Sequence, residues 1–475
     1  METPTQTLHR LTSYEPEREW DVPVDDPRVL QDLEVNDLDR LPWFYKRYAQ
    51  SLPVVALPRE LPRTSAPAVA VLAGAAHVAP AALDAAHLSR LLHLSAGVVR
   101  TSPRPYGTYL FRAAGSAGGR FPLELYIAIP EGAALPAGVH WYHPQDHALV
   151  TIGPPPRGEA PAVIVTGIPW RTGWRYRERG YRHVFWDAGT MLAQLLAAAE
   201  SAGFGPALYS RFPDEAVATL VGADGVHELP VAVVALGAGE PALLASGPAT
   251  TGEIDAAPIE FPLVTAAHEA GERDSLGAPW DPGAPVEVHH GGVATVEEVA
   301  LARGSQRRMD PTRGLARSVL DNCMRPALRG IDVPHFVVVH DVEGVAPGVH
   351  RWPDVGVTIR GGDLREELYR VCLDQALGRD AAFVVVSAMR VADLDDRAYR
   401  DVHLAAGIVA GRLHLLAYAL GASATGMTFL DSAIPALLGE PVDALLFTCV
   451  GVPEYVSTAG GPPGAPTSVR KIEPR

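Results

Sequence analysis

Tyr181-Arg182-His183-Val184-Phe185-Trp186-Asp187-Ala188-Gly189 returns later in the chain as Tyr399-Arg400-Asp401-Val402-His403-Leu404-Ala405-Ala406-Gly407, and each stretch is followed 14 residues on by a second glycine, Gly203 or Gly421. The echo also runs upstream. Pro122-Leu123-Glu124-Leu125-Tyr126-Ile127-Ala128-Ile129, leading to Gly138-Val139-His140, resembles Pro334-His335-Phe336-Val337-Val338-Val339-His340, leading to Gly348-Val349-His350. A solenoid unit runs to about 20–50 residues, so this far longer period marks a duplicated domain, predicted to pack as an intramolecular pseudo-dimer. Function is expected where the copies differ.

The chain of 475 residues, 47% apolar and 20% charged, is long enough for two cores without staples. Forty Lys and Arg against 55 Asp and Glu leave a net charge of −15, and no Lys/Arg-rich tract relieves it. This argues against nucleic acid or an anionic membrane as main partner. Cys323, Cys372 and Cys449 are too few and scattered for a disulfide framework or a CxxC metal site, which fits a cytoplasmic protein. The first residues carry neither a basic nor an apolar leader region. The most apolar stretch, Ala66 to Leu83, is broken by Pro67, His77 and Pro80, which argues against a membrane span.

The fold class expected is α+β. Residues 1–62 read as an N-terminal extension with the aromatic run Trp43-Phe44-Tyr45-Lys46-Arg47-Tyr48, 63–240 as a first domain, 241–298 as a Gly/Pro/Ala-rich linker and 299–475 as a second domain with a C-terminal tail. Each domain opens on an amphipathic helix (Pro80 to Leu94; Pro311 to Cys323). A strand pair follows, then a strand at Ala162 to Thr166 or Phe383 to Ser387. The long helix starting near Tyr181 or Tyr399 comes next, with Gly203 or Gly421 as its C-cap, and then a last strand.

Ala73-Gly74-Ala75-Ala76-His77-Val78-Ala79-Pro80 aligns with Arg303-Gly304-Ser305-Gln306-Arg307-Arg308-Met309-Asp310-Pro311, one residue longer and cationic. Arginines beside a serine hydroxyl at a helix start suit a phosphate: bidentate guanidinium donors, a hydroxyl donor and the positive end of the helix dipole. The opposite asymmetry follows. Arg112-Ala113-Ala114-Gly115-Ser116-Ala117-Gly118-Gly119 keeps small residues that let main-chain amides approach a flat ligand, where the second copy has Ala327-Leu328-Arg329-Gly330.

These segments resemble motifs of the nitroreductase superfamily. Arg303 to Arg307 is similar to its Arg-Arg-Ser-x-Arg flavin-phosphate motif, and Arg112 to Gly118 resembles the Arg-x-x-Pro-Ser-x-Gly segment of the SagB-type branch. Tyr176 to Arg182 resembles that branch's Lys-Tyr-x-x-Arg-x-Tyr-Arg signature, with Arg175 in place of the lysine. The likeness runs from about residue 40 to the C-terminus. It implies FMN in the interface between copies, one per chain, with the phosphate held by Arg303, Ser305, Gln306 and Arg307. It also implies that the ring is covered by Arg112, Ser116, Ala117 and Gly118 and faced by Thr425, Gly426 and Met427, with Arg470 or Lys471 closing on the phosphate. The implied activity is oxidation of thiazolines or oxazolines in a ribosomally made peptide, with O2 as acceptor and a cyclodehydratase complex as companion. Further pairing of two chains is left open. Tyr176 is then the candidate base or proton relay, and Arg175, always protonated, lowers its pKa or stabilises an anion.

Two other readings compete: an NAD(P)H-dependent flavin oxidoreductase acting on a small molecule, and a non-catalytic scaffold. His140, His143 and His147 are interrupted by Pro144, and neither they nor His289-His290 come with a completing ligand set, so no metal is expected. Gly237-Ala238-Gly239-Glu240-Pro241-Ala242 imitates a dinucleotide fingerprint but lacks the following helix, so it reads as a strand-ending turn.

Overall fold

A computed structural model describes residues 2–18, 26–105, 107–289 and 292–475; His290 lies outside them. β1 (Val54–Ala56) is followed by a hairpin of β2 (Val98–Arg104) and β3 (Gly107–Arg112). Then come β4 (Leu123–Ile129), β5 (Gly138–His143), β6 (Ala148–Gly153), β7 (Ala162–Gly167), β8 (Pro206–Tyr209) and β9 (Leu229–Leu236). The second half supplies β10 (His335–Val339), β11 (Gly348–Arg351), β12 (Asp354–Gly361), β13 (Phe383–Met389), β14 (Ser423–Met427), β15 (Asp443–Gly451) and the short β16 (Thr467–Ser468).

Among the described residues the strands form three sheets, and the two large ones share a strand order. The first runs β1-β6-β5-β4-β7-β9-β8 and the second β12-β11-β10-β13-β15-β14, so only β1 lacks a counterpart. All their pairings are antiparallel, with Tyr126 opposite Trp141 in one hairpin and Val337 opposite His350 in the other. Antiparallel sheets with helices on their faces make this a mixed α/β fold of the α+β kind. The repeated histidines do the same local work, because His140 Nε2 bonds the carbonyl of Pro136 and His350 Nε2 that of Ala346, each four residues back. Among the described residues no cluster of side chains could hold a metal.

The long helices Gly180–Glu200 and Asp396–Ala419 are where the echoed stretch falls. Both end in the geometry expected of Gly203 and Gly421, which adopt φ of +80° and +78°. Phe204 N and Ala422 N return to the carbonyls of Ala199 and Ala417, closing the last turn of each helix. The two helices cross at the echoed glycine itself. A Cβ on Gly189 would stand 2.4 Å from Leu404 O and Ile408 N, and one on Gly407 would stand 2.5 Å from Trp186 O. Backbone therefore meets backbone at the centre. Around this crossing Leu192, Leu195, Leu404, Ile408 and Leu416 share one continuous apolar core with Val163 and Val165 of the first sheet and Val337 and Val385 of the second. Asp396–Ala419 is long and apolar enough by composition to cross a membrane, and it is a mostly buried core helix here.

Two expectations need correction, and a third is sharpened. The opening helices start later than predicted, at Ala85 and Arg317. Asp84 caps the first by accepting from His87 N, and Asp310 instead folds back on Thr312 N, a local turn that competes with helix. The linker is not irregular throughout: Pro262–Glu269 is a helix whose Leu263, Val264 and Ala267 are in the core. Its Gly- and Pro-rich flanks hid a short apolar stripe. The extension, finally, reaches inside the first half. Lys46 Nζ lies 2.6 Å from Glu228 Oε2 and 2.9 Å from Tyr126 Oη with no solvent exposure. Burial alone would lower its pKa, but Glu228 and its neighbours hold it above the usual lysine range.

Candidate functional site at the contact between the halves

β3 delivers Arg112 into a turn at Ala117–Gly119, where Gly118 and Gly119 take φ of +58° and +65°. Any other residue at Gly118 would be strained by that backbone and would place its Cβ 2.6 Å from Tyr176 Oη and 2.8 Å from Arg175 Cδ. The small segment and the Arg175-Tyr176 pair are thus in contact. From the other half comes Arg303, which is 3% exposed. Its Nε donates to Gln194 Oε1 at 2.8 Å and to the carbonyl of Ala113 at 3.1 Å, and Nη2 also reaches that carbonyl. Nη1 is buried without a partner. The Cβ position of Gly115 is 3.6 Å from this Nη1 and 3.4 Å from Ser305 Oγ.

Burial, with Arg100 nearby, lowers the Arg303 pKa to about 10, which still leaves it charged at neutral pH. The positive end of a helix dipole, however, is missing. Arg303 is the C-cap of the helix Val296–Ala302, and the next helix starts only at Arg317. Any anion here relies on side chains and loop amides. Ser305 and Arg307 are exposed, whereas Gln306 is buried and committed: its Nε2 donates to the carbonyls of Arg308 and Tyr455, and Oε1 accepts from Tyr418. Gln306 shapes the loop rather than facing a ligand.

A small cavity of about 20 Å³ opens beside this contact, lined by Arg112, Gly115, Ser116, Phe121, Asp187 and Met191. Arg112 is anchored on the carbonyls of Leu123 and Phe44. β14 is tied to the loop through Gln306 N and Ala424 O at 3.2 Å; within it Thr425 is buried, Gly426 exposed and Met427 part of the second core. The C-terminal tail crosses to the first half, where β16 runs parallel to β2. Arg470 is exposed, Lys471 pairs with Glu473 at 2.7 Å, and Arg308 Nε donates to the carbonyl of Glu473. Of the predicted residues, Arg303 and Ser305 thus meet the segment at Gly115, and Arg175 and Tyr176 meet it at Gly118.

Tyr176 packs on His183 with ring centroids 4.1 Å apart. Burial raises its pKa against the lowering influence of Arg175, so the phenol keeps its proton at neutral pH and the resident-phenolate role is not supported. Two functional candidates were missed in the sequence, Gln194 and Asp187. Asp187 Oδ1 accepts from Ala117 N at 2.9 Å and Oδ2 is hydrogen-bonded to Ser116 Oγ. The signal was present, since the echo pairs Asp187 with Ala405.

Residues 79–238 match the model of the Nitroreductase family. Over 142 residues the chain is 25% identical to a protein of Methanocaldococcus jannaschii described as a nitroreductase, covering 27% of this chain and 70% of that one. A crystal structure from Anabaena variabilis, described as a nitroreductase, superposes over 96% of this chain and 100% of its own with a TM-score of 0.73 and 24% identity. The fold is therefore nitroreductase-like. A microcin synthetase complex from E. coli overlaps 47% of the chain at a TM-score of 0.28 and 17% identity, too low to bear on function.

Proposed function

We propose that this chain is an FMN-dependent dehydrogenase of azoline rings in a peptide, built as an intramolecular pseudo-dimer with one flavin site. The observation that carries the cofactor reading is Arg303: a buried guanidinium with an unpartnered Nη1, aimed across the contact at a glycine whose missing Cβ leaves room. A buried charge without a counterion is costly, and a phosphate would satisfy it. Arg303, Ser305 and Arg307 would hold that phosphate, with Arg470 or Lys471 near it. Ser116 to Gly118 and Thr425 to Met427 would flank the ring. FMN, when bound, supplies the two-electron acceptor for the oxidation, and O2 would restore it.

The related contact elsewhere argues for a single site. Arg329 Nη1 stands 2.8 Å from the Cβ position of Gly74, the partner of Gly304 in the alignment, and Arg412 Nη1 donates to the carbonyls of Ala327 and Arg329. Internal arginines fill the space that the first contact leaves open. The test is the absorbance spectrum of the purified chain with flavin counted per polypeptide. A ratio near one is expected; a ratio near two, or a colourless protein that cannot be reconstituted with FMN, would end the reading.

The azoline reading rests on the sequence resemblance and on Tyr176 beside the glycine segment. Tyr176, kept protonated by burial, acts as a proton relay, and Arg175 orients it from 5.7 Å over the ring. Tyr176→Phe is expected to retain FMN and slow oxidation of a thiazoline peptide about tenfold or more, the low end for acid–base catalysis. Full activity in that variant would remove Tyr176 from the mechanism. NAD(P)H consumption without peptide would move the substrate to a small molecule instead.

A further inference from the structure

We infer that Asp187 is a positioning residue that sets, by its protonation, which way the Ser116 hydroxyl points. This deepens the FMN reading and rests on it. Three observations converge. Asp187 lines the same cavity as Gly115 and Ser116 and is 5% exposed. Ser116 Oγ also accepts from Phe121 N at 2.7 Å, so the hydroxyl sits between a fixed donor and the carboxyl. The second copy has Ala405 at the matching position, so the acid belongs only to the half that offers the open segment.

The donors and acceptors of a serine hydroxyl then give two states. With Asp187 ionised, the Ser116 proton is donated to the carboxylate and the cavity receives no donor. With Asp187 protonated, the acid donates to Ser116 Oγ, and the serine proton is released to point into the cavity at an acceptor on the ligand. Only a proton from solvent is gained or lost. Burial moves the Asp187 pKa up to about 7, against the opposing hydrogen bonds from Ser116 and Ala117, which puts the exchange in the working range of pH.

The ionisable groups facing this space are few. Arg112 and Arg303 remain charged across that range. Arg175 and Arg120 lie on the Tyr176 side, and Tyr176 itself stays protonated. His183, one turn earlier on the helix, is kept neutral by burial and by Arg179 and Arg182.

The experiment measures FMN dissociation constants at about pH 6 and about pH 8.5 for wild type, Asp187→Asn and Ser116→Ala, with thermal midpoints of the FMN-free proteins at the same pH values. Wild type is expected to bind about fivefold more weakly at the higher pH, the worth of one hydrogen bond. Both variants should lose that difference, with phosphate ionisation cancelling between proteins. Equal pH dependence in wild type and Asp187→Asn overturns the inference. If no protein binds FMN, the cofactor reading fails, and the midpoints still decide on Asp187. A raised folded-state pKa means stability present at low pH and lost as pH rises towards about 7. Wild type must therefore fall relative to Asp187→Asn between the two pH values, and parallel midpoints overturn the switch.

Discussion

Arg303→Met should purify colourless, with FMN affinity lower by at least a hundredfold and the fold intact by circular dichroism. Methionine fills the guanidinium's volume without leaving a buried charge, so the change removes the cation while sparing the core. Truncating a desolvated, hydrogen-bonded charge at a binding site costs about 2–5 kcal/mol, and a hundredfold is about 2.7 kcal/mol. The carbonyl of Ala113 and Gln194 Oε1 lose their donor as well, which loosens the contact between halves. Arg307→Ala separates the two effects, because Arg307 is exposed and its side chain supports no core contact. It should weaken FMN by a smaller factor without altering stability. Unchanged flavin content in Arg303→Met would refute the phosphate assignment.

Gly407→Leu is expected to give the largest loss of stability. Its Cβ would stand 2.5 Å from Trp186 O and 2.9 Å from Phe185 O, both backbone atoms of a helix that cannot yield locally. The long helices would have to separate, and the core that spans both sheets would lose its packing. The cost should reach the top of the overpacking range, about 3 kcal/mol or more, which in a protein of this size is roughly 3 °C or more in Tm. Differential scanning calorimetry decides it. A midpoint within about one degree of wild type, a margin of about 1 kcal/mol, would mean that the crossing is not as close as described.

Much of this geometry was legible because the echo preserved it. Gly189 and Gly407 stood out as a repeated pair, and their repetition is what a backbone-to-backbone crossing demands on both sides. The strands at Ala162–Gly167 and Phe383–Met389 showed as apolar runs because both faces are covered. Arg303 and Ser305 were visible as departures from an alanine-rich counterpart. Other features depend on neighbours far away in sequence. Asp187 acquires meaning only when the turn at Ser116 is laid beside it, 71 residues apart. Gln194 looks like any polar helix residue until Arg303 arrives from the other half. The late start of the second opening helix turns on one aspartate choosing a local turn, a competition that periodicity does not register.

Lys46 carries an implication of its own. Lysine is among the residues least often found fully buried, yet this ammonium completes a sealed polar knot with Glu228, Tyr126 and, through Glu228, Thr166. Excising the residues before 63 would leave the Glu228 carboxylate with the hydroxyls of Tyr126 and Thr166 but without its cation. The opening segment is thus a keystone and not a fringe: the interior of the first half is complete only with residue 46 in place.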